Sequence, residues 1–400
     1  MRPPRLWEPR NPDAFGDALP MKILTALTYY YPHWTGLTAY AQRIAEGLAA
    51  RGHQVTVVTS RFRQDLPPED EHRGVRIMRL PSVFRLSRGQ VMPSFIPVVS
   101  RLVREHDVVQ VHTPMLETWL VGVLAHRAGK KMLMTHHGDL VMPSGLWDRF
   151  VQLTVGFMQD RGADAADVIS NHSQDYADKS DYLRPHARKV VAIYPPVTIP
   201  QPDPGAVASW RSELGLDEAK LVGFAGRFVE EKGFDYLLKA IPLVLEHMPN
   251  VKFVYAGDHK VVYERFFERW KHLVEANREH LIMLGLIRDH QKLANFYAMC
   301  DVFALPSRTD GFPSVQIEAM LCGTPVVATN IPGAREVVKA TQQGLLVEPC
   351  SERALADGLL RVLQDRKNYL VPQERIRTIF DPTKSIIAYE RLLQSMVKGS

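Results

Sequence analysis

Short apolar runs alternate along this chain with longer stretches whose apolar positions recur every three or four residues. In the first half the runs at Lys22–Leu27, Gln54–Thr59, Val75–Leu80, Val108–Val111, Lys131–Thr135 and Asp167–Ser170 are brief and rich in β-branched residues, which predicts strands. Between them, Thr38–Ala50, Leu116–Ala128 and Trp147–Gly162 carry helical spacing, and Gly52 follows the first as a helix stop. Strand and helix in strict alternation predict a parallel α/β sheet.

The pattern then repeats. Strands are expected at Lys220–Ala225, Val251–Ala256, Ile282–Leu284, Val302–Ala304, Pro325–Ala328 and Gly344–Val347, separated by helices such as Gly233–Glu246, Gln291–Met299 and Ser314–Leu321. Pro195, Pro196, Pro200, Pro202 and Pro204 cluster between the two halves, where they can continue neither a helix nor a central strand. The expected organisation is therefore two doubly wound, Rossmann-like domains, residues 21–195 and 196–380, facing across a central cleft. Residues 381–400 are expected to form a last helix crossing back to the N-terminal domain. With 400 residues, two cores of ordinary size are the natural reading.

Composition changes this picture little. The chain is 46% hydrophobic and 23% charged, as globular proteins are. No apolar run approaches the roughly 18 residues of a membrane-spanning helix. Cys300, Cys322 and Cys350 are too few and too scattered for a disulfide framework, which suits a reducing cytoplasm. Residues 1–20 lack the apolar core of a secretory signal and read as a loose extension without assigned function. The net charge of +5 is uneven: Arg73, Arg76, Arg79, Arg85, Arg88, Arg101 and Arg104 span a stretch without Asp or Glu. That stretch is either a solvated face or a peripheral contact with an anionic membrane, at its inner, cytoplasmic face. No nucleic-acid recognition motif accompanies it, so nucleic acid is not an expected partner.

In open α/β sheets ligands bind beyond the carboxyl ends of the strands. The first strand runs into TYYYPHWTG rather than a glycine-rich dinucleotide fingerprint, which weakens a dehydrogenase reading, and no Walker-type loop appears. The richest stretch is FALPSRTDGFPSVQIEAMLCG. Here Asp310 and Glu318 lie eight residues apart, and Pro313 with Ser314 begins a helix whose first N–H groups, from Ser314 and Val315, make a ready phosphate site. In FAGRFVEEKG, Arg227 and Lys232 flank another strand-to-helix loop, as fixed cations that would stabilise a departing diphosphate. No Asp-x-Asp pair is present to chelate a divalent ion beside a diphosphate, so no metal or other cofactor is expected. Taken singly these are ordinary surface charges, and Cys322 and Met320 read as core; the joint placement past strand ends gives the charges their interest.

These residues resemble the family 4 retaining glycosyltransferases of GT-B fold, from Met21 onward. The family signature is Glu, seven residues, Glu; here DGFPSVQIEAMLCGTPVVAT puts Asp310 in place of the first Glu and keeps Glu318 as the second. The resemblance implies that Glu318 holds the donor ribose and Asp310 the sugar, and that Arg227 and Lys232 hold the diphosphate with the backbone of Ser314 and Val315. THHGD resembles the family's T-x-H and puts His137 at the donor sugar. YPHWTG resembles the glycine pair, with Gly36 kept and Thr35 substituted. The candidate catalytic residues are thus His137, Asp310, Arg227 and Lys232, and the donor-binding residues Gly36, Arg227, Lys232, Ser314, Val315 and Glu318. The implied partners are a UDP- or GDP-linked sugar and a glycan or lipid-linked acceptor. A nucleotide-sugar epimerase, a phosphorylase and a non-catalytic sugar-nucleotide-binding module remain as rival readings.

Overall fold

A computed structural model describes residues 19–86, 89–139, 146–259 and 266–399. Arg88 and nearly all of the N-terminal extension lie outside these residues. The chain divides into two compact units, one ending at Pro196 and resuming from Pro382 onward, the other running Val197–Asp381.

In the first unit the strands are β1 (Lys22–Ala26), β2 (Gln54–Arg61), β3 (Glu69–His72), β4 (Val75–Pro81), β5 (Phe84–Leu86), β6 (Gly89–Val91), β7 (Val108–Thr113), β8 (Lys131–His136), β9 (Val168–Asn171) and β10 (Val190–Ala192). The helices are α1 (Gly36–Ala50), α2 (Phe95–Glu105), α3 (Thr118–Arg127), α4 (Leu146–Ala165) and α5 (Gln174–Lys179). Among the described residues, eight strands form one sheet in the order β10-β9-β8-β7-β1-β2-β4-β3. All pair parallel except β3, which runs antiparallel to β4 at the edge. Every residue of the central strand β7 is buried, as a strand covered by helices on both faces requires.

The second unit contains α6 (Pro204–Glu213), β11 (Lys220–Ala225), α7 (Phe234–Leu245), β12 (Val251–Ala256), α8 (Phe266–Ala276), β13 (Leu281–Gly285), α9 (His290–Met299), β14 (Val302–Leu305), α10 (Ser314–Leu321), β15 (Val326–Thr329), α11 (Ala334–Thr341), β16 (Leu345–Val347), α12 (Glu352–Gln364) and α13 (Gln373–Ile379). Its sheet is parallel throughout, in the order β13-β12-β11-β14-β15-β16. Pro204, counted with the proline-rich stretch, is instead the first residue of α6, where its missing N–H costs nothing; Asp203 caps that helix by accepting from Gly205 and Ala206 N–H. The final helix, α14 (Pro382–Lys398), belongs to the first unit and places Tyr389, Leu392, Leu393 and Met396 in a core with Ile23, Leu48 and Val57.

Two departures from the sequence reading concern the arginine-rich stretch. Helix α2 lies inside it, burying Phe95, Val99, Leu102 and Val103 on one face while Arg101 and Arg104 stay exposed on the other. Arg79 is no surface charge: its side chain is 1% exposed and its guanidinium is paired with Asp70 at 3.0 Å, with further bonds to the carbonyls of Pro67 and Tyr31. Arg73 and Arg76 pair with Glu46 and Glu69 across 3.2 and 3.1 Å. Acids outside the stretch thus neutralise part of it. No helix among the described residues is long and apolar enough to cross a membrane.

Candidate active site

In the second unit the polar residues singled out above gather at the carboxyl ends of β11 and β14. After β11 the chain makes a short 3-10 turn, Glu230–Lys232, and then enters α7 at Gly233. Gly233 has φ +65°, and a Cβ there would stand 2.0 Å from the Pro306 carbonyl oxygen. Glycine is what lets this turn lie directly on the segment leaving β14. Arg308 then ties the two segments together. Its guanidinium makes a two-pronged bond to the buried Asp235 carboxylate at 2.8 and 2.7 Å and a third to the Glu230 carbonyl, while its main-chain N–H donates to the Glu231 carbonyl.

The consequence is that Lys232 and Asp310, 78 residues apart, meet with Nζ 2.5 Å from Oδ2. Both are mostly buried, at 24% and 11% exposure. Arg227 lies on the same loop and holds Glu231 at 2.9 Å. Each cation expected to grip a diphosphate therefore already has a carboxylate against it. The Asp310 loop is itself fixed from behind: Gly333, at φ +81°, approaches so closely that a Cβ would stand 2.3 Å from the Gly311 carbonyl oxygen.

Helix α10 begins just beyond. Pro313 occupies its N-cap with no side-chain cap bond, so the N–H groups of Ser314 and Val315 open the helix without an internal acceptor. They carry the positive end of the helix dipole. Glu318, one turn in and 9% exposed, accepts a hydrogen bond from the Tyr297 hydroxyl at 2.9 Å. Burial, with the Glu318 carboxylate beside it, holds the Tyr297 hydroxyl well above its ordinary pKa, which keeps it a donor. Met320 and Cys322 are buried, as read from the sequence.

In the first unit Gly36 is the first residue of α1, exposed, and a Cβ added there would meet nothing within 4 Å. Thr35, in place of the first glycine, is the N-cap. Its main-chain N–H donates to the Thr38 hydroxyl at 2.7 Å and its own hydroxyl accepts from Thr38 N–H at 3.3 Å, a reciprocal capping box. The substitution thus fixes the helix start. His137, just past β8, has His112 at its Nε2, 2.9 Å away, and His172 at its Nδ1, 3.1 Å away. Neighbouring His136 is engaged separately, with Asp139 at 3.0 Å and Thr113 at 3.2 Å.

The sequence reading missed Arg308 and Asp235, which position the loops, and Glu231, Tyr297 and His172, which touch candidate residues. Glu231 lay in the quoted FAGRFVEEKG segment and His172 closely follows a strand end, so both carried the placement signal; Tyr297 carried none.

Comparison with known proteins now adds to this geometry. Residues 207–378 match the family model described as glycosyl transferases group 1, and residues 35–196 match that of a glycosyl transferase 4-like domain. The chain is 26% identical over 362 residues to an uncharacterized glycosyltransferase of Methanocaldococcus jannaschii, covering 86% of this chain and 90% of that protein. It is also 26% identical over 363 residues to a GDP-mannose-dependent alpha-(1-6)-phosphatidylinositol monomannoside mannosyltransferase of Mycolicibacterium smegmatis, covering 86% and 89%. Among solved structures, Anabaena HepE in complex with UDP-glucose superposes with a TM-score of 0.74 at 19% identity, covering 95% of this chain and all of that one. One family model falls on each unit, each unit is a Rossmann-like parallel sheet, and the chain belongs to the family 4 glycosyltransferases of GT-B fold.

Proposed function

We propose that the protein transfers a sugar, with retention of configuration and without a metal ion, from a nucleoside diphosphate sugar to a hydroxyl of a glycan or lipid-linked acceptor. The observation that carries this reading is the convergence at 2.5 Å of Asp310 with Lys232, whose loop also carries Arg227, next to the uncapped start of α10. Arg227, Lys232 and the Ser314 and Val315 N–H groups take the diphosphate, Glu318 the ribose, and Asp310 and His137 the sugar; Gly36 leaves room for close approach. UDP and GDP both remain as the nucleotide, since one named relative is described as GDP-mannose-dependent and the HepE structure is a complex with UDP-glucose.

The acceptor hydroxyl attacks the anomeric carbon from the face the diphosphate leaves, and the leaving phosphate oxygen takes its proton. Fixed cations and N–H dipoles stabilise the charge that gathers on that oxygen, which is the role a metal would otherwise fill. Thermal unfolding with UDP or GDP in EDTA tests the first step. A binder of the folded state at a hundredfold excess over Kd adds about 2.7 kcal/mol of stability. A shift lost in Lys232→Ala supports the site, and no shift with either nucleotide in EDTA refutes the metal-free reading.

The proposed place of action is the cytoplasmic face of a membrane. With Arg79 internal and Arg73 and Arg76 paired with acids, the contact centres on Arg85, Arg101 and Arg104 with the exposed Phe84 and Ile96. Apolar groups beside cations suit an anionic interface. Co-sedimentation with phosphatidylglycerol vesicles that is absent with phosphatidylcholine, and lost in Arg101→Glu/Arg104→Glu, is the expected result; equal binding to both vesicles counts against it.

A further inference from the structure

His137 is held by both of its ring nitrogens. His112 reaches it from the end of β7 with Nδ1 2.9 Å from Nε2, and His172 reaches it from the loop after β9 with Nε2 3.1 Å from Nδ1. Both partners are buried, at 1% and 4% exposure. Nitrogens this close share a proton. A metal bound at ordinary N–metal distances of about 2.0–2.1 Å needs its ligands to point at a common centre, whereas these rings point at one another. The described residues contain no cluster of three His, Cys, Asp or Glu arranged for a metal ion.

Other rings close round the trio. Tyr40, from α1, meets the His137 ring edge-on at 4.8 Å and lies 4.6 Å from that of His172. Its hydroxyl donates to Tyr389 of α14 at 2.5 Å; Tyr389 donates to Ser170 at 2.9 Å, and Ser170 to Thr135, two residues before His137, again at 2.9 Å. Burial holds His137 well below the ordinary histidine pKa and pushes His112 and His172 down to about 3. The neighbouring imidazoles disfavour charge on His137 further, while the nearby Asp139 carboxylate is already taken by His136 and by Ser180. Near neutral pH all three rings are therefore uncharged. Each carries one proton, and the two N–H···N bonds must run in one direction, with His137 a donor at one nitrogen and an acceptor at the other.

We propose that His172 and His112 are positioning residues that clamp the His137 ring at both nitrogens, so that the loop His137–Asp139 is presented to the donor sugar in one fixed orientation. The clamp stands on the geometry alone, and its effect on turnover rests on the function proposed above. The family resemblance pointed to His137; the residues that hold it come from two other strand ends.

The test uses the fact that a glutamine amide reproduces the reach of Nε2 and an asparagine amide that of Nδ1. His172 acts through Nε2 and His112 through Nδ1. His172→Gln and His112→Asn should keep donor turnover within about threefold, while His172→Asn and His112→Gln should lose tenfold or more, since a displacement of about 1 Å in a positioning group costs up to 100-fold. Affinity for UDP or GDP should be unchanged in all four, separating positioning from diphosphate binding. Equal turnover for the two amides at both positions overturns the proposal. The 15N shifts of His137 in the ligand-free protein give a second reading independent of activity. Both nitrogens should report hydrogen bonding in the wild type, with the Nδ1 signal alone moving in His172→Asn. A His137 side chain exchanging freely between tautomers overturns the clamp. A clamp seen intact in the wild type, together with a His137→Ala variant that turns over at the full rate, removes the sugar-contact role and leaves the clamp standing.

Discussion

Replacing Asp310 with Asn separates two effects that a simple loss-of-function reading would merge. Lys232 is paired with Asp310 at 2.5 Å, and both groups are largely withdrawn from water. At an effective dielectric of about 20 the gross attraction is of order 7 kcal/mol. Desolvation of both ions and their residual exposure reduce the net contribution to about 1–2 kcal/mol. A diphosphate arriving at Lys232 must share or displace that carboxylate and meets its repulsion. Asp310→Asn removes the competitor while keeping the shape. Affinity for free UDP or GDP should therefore rise about tenfold, the equivalent of 1.4 kcal/mol. Turnover should fall by 100-fold or more if Asp310 touches the sugar in the transition state, by analogy with removal of one charge-stabilising group. Isothermal titration at 50 and 300 mM salt, with donor hydrolysis measured alongside, reads both. The salt dependence should steepen, because an unpaired Lys232 interacts more strongly with the anion. Affinity for the diphosphate that falls, or does not change, in Asp310→Asn refutes the competition argument.

Two further outcomes follow from the packing. Gly233→Ala should cost about 2–4 kcal/mol, combining a left-handed backbone with a Cβ 2.0 Å from the Pro306 carbonyl, whereas Gly36→Ala should leave stability within about 0.5 kcal/mol and raise only the donor KM; urea denaturation of both distinguishes them, and equal stabilities would contradict the fit at Gly233. Glu390, on α14, is bound by Arg51 at 2.7 Å and by His53 at 2.8 Å, and these partners outweigh burial to hold its carboxyl below the ordinary glutamate value. A depressed carboxylate pKa adds stability above the unfolded value, and that stability is lost as pH falls through the folded one. Glu390→Gln should therefore be less stable by about 1–2 kcal/mol at pH 7, with the gap closing below about pH 4; a gap that persists to pH 3 would contradict the ionic origin.

The strands were legible because each is a short apolar run bounded by polar turns, and β11 and β12 fall on their expected residues. What escaped was structure without that signal. The edge strand β3 reads EDEH and is held by pairing with β4 rather than by any apolar alternation. Helix α2 does carry the helical period, but it was hidden among arginines read as a charge patch. At the site, chain position past a strand end singled out Lys232 and Asp310 separately. Their meeting depends on Arg308 bonding Asp235 across two loops and on the close approach permitted at Gly233, facts of three-dimensional packing that no local pattern carries. His172 escaped for a similar reason, since its value comes from the ring it touches.

Helix α14 has a consequence for how the polypeptide acquires its structure. Tyr389, Leu392, Leu393 and Met396 fill a core whose other walls come from residues such as Ile23, Leu48 and Val57, near the opposite terminus. A nascent chain emerging from the ribosome can lay down the sheet of its first unit early, yet cannot seal that interior until nearly four hundred residues have been made. The second unit, formed from one uninterrupted segment, is free to mature sooner. Synthesis order and completion order are thereby reversed, and a released chain ending at Asp381 should have a protease-sensitive first unit beside a resistant second one.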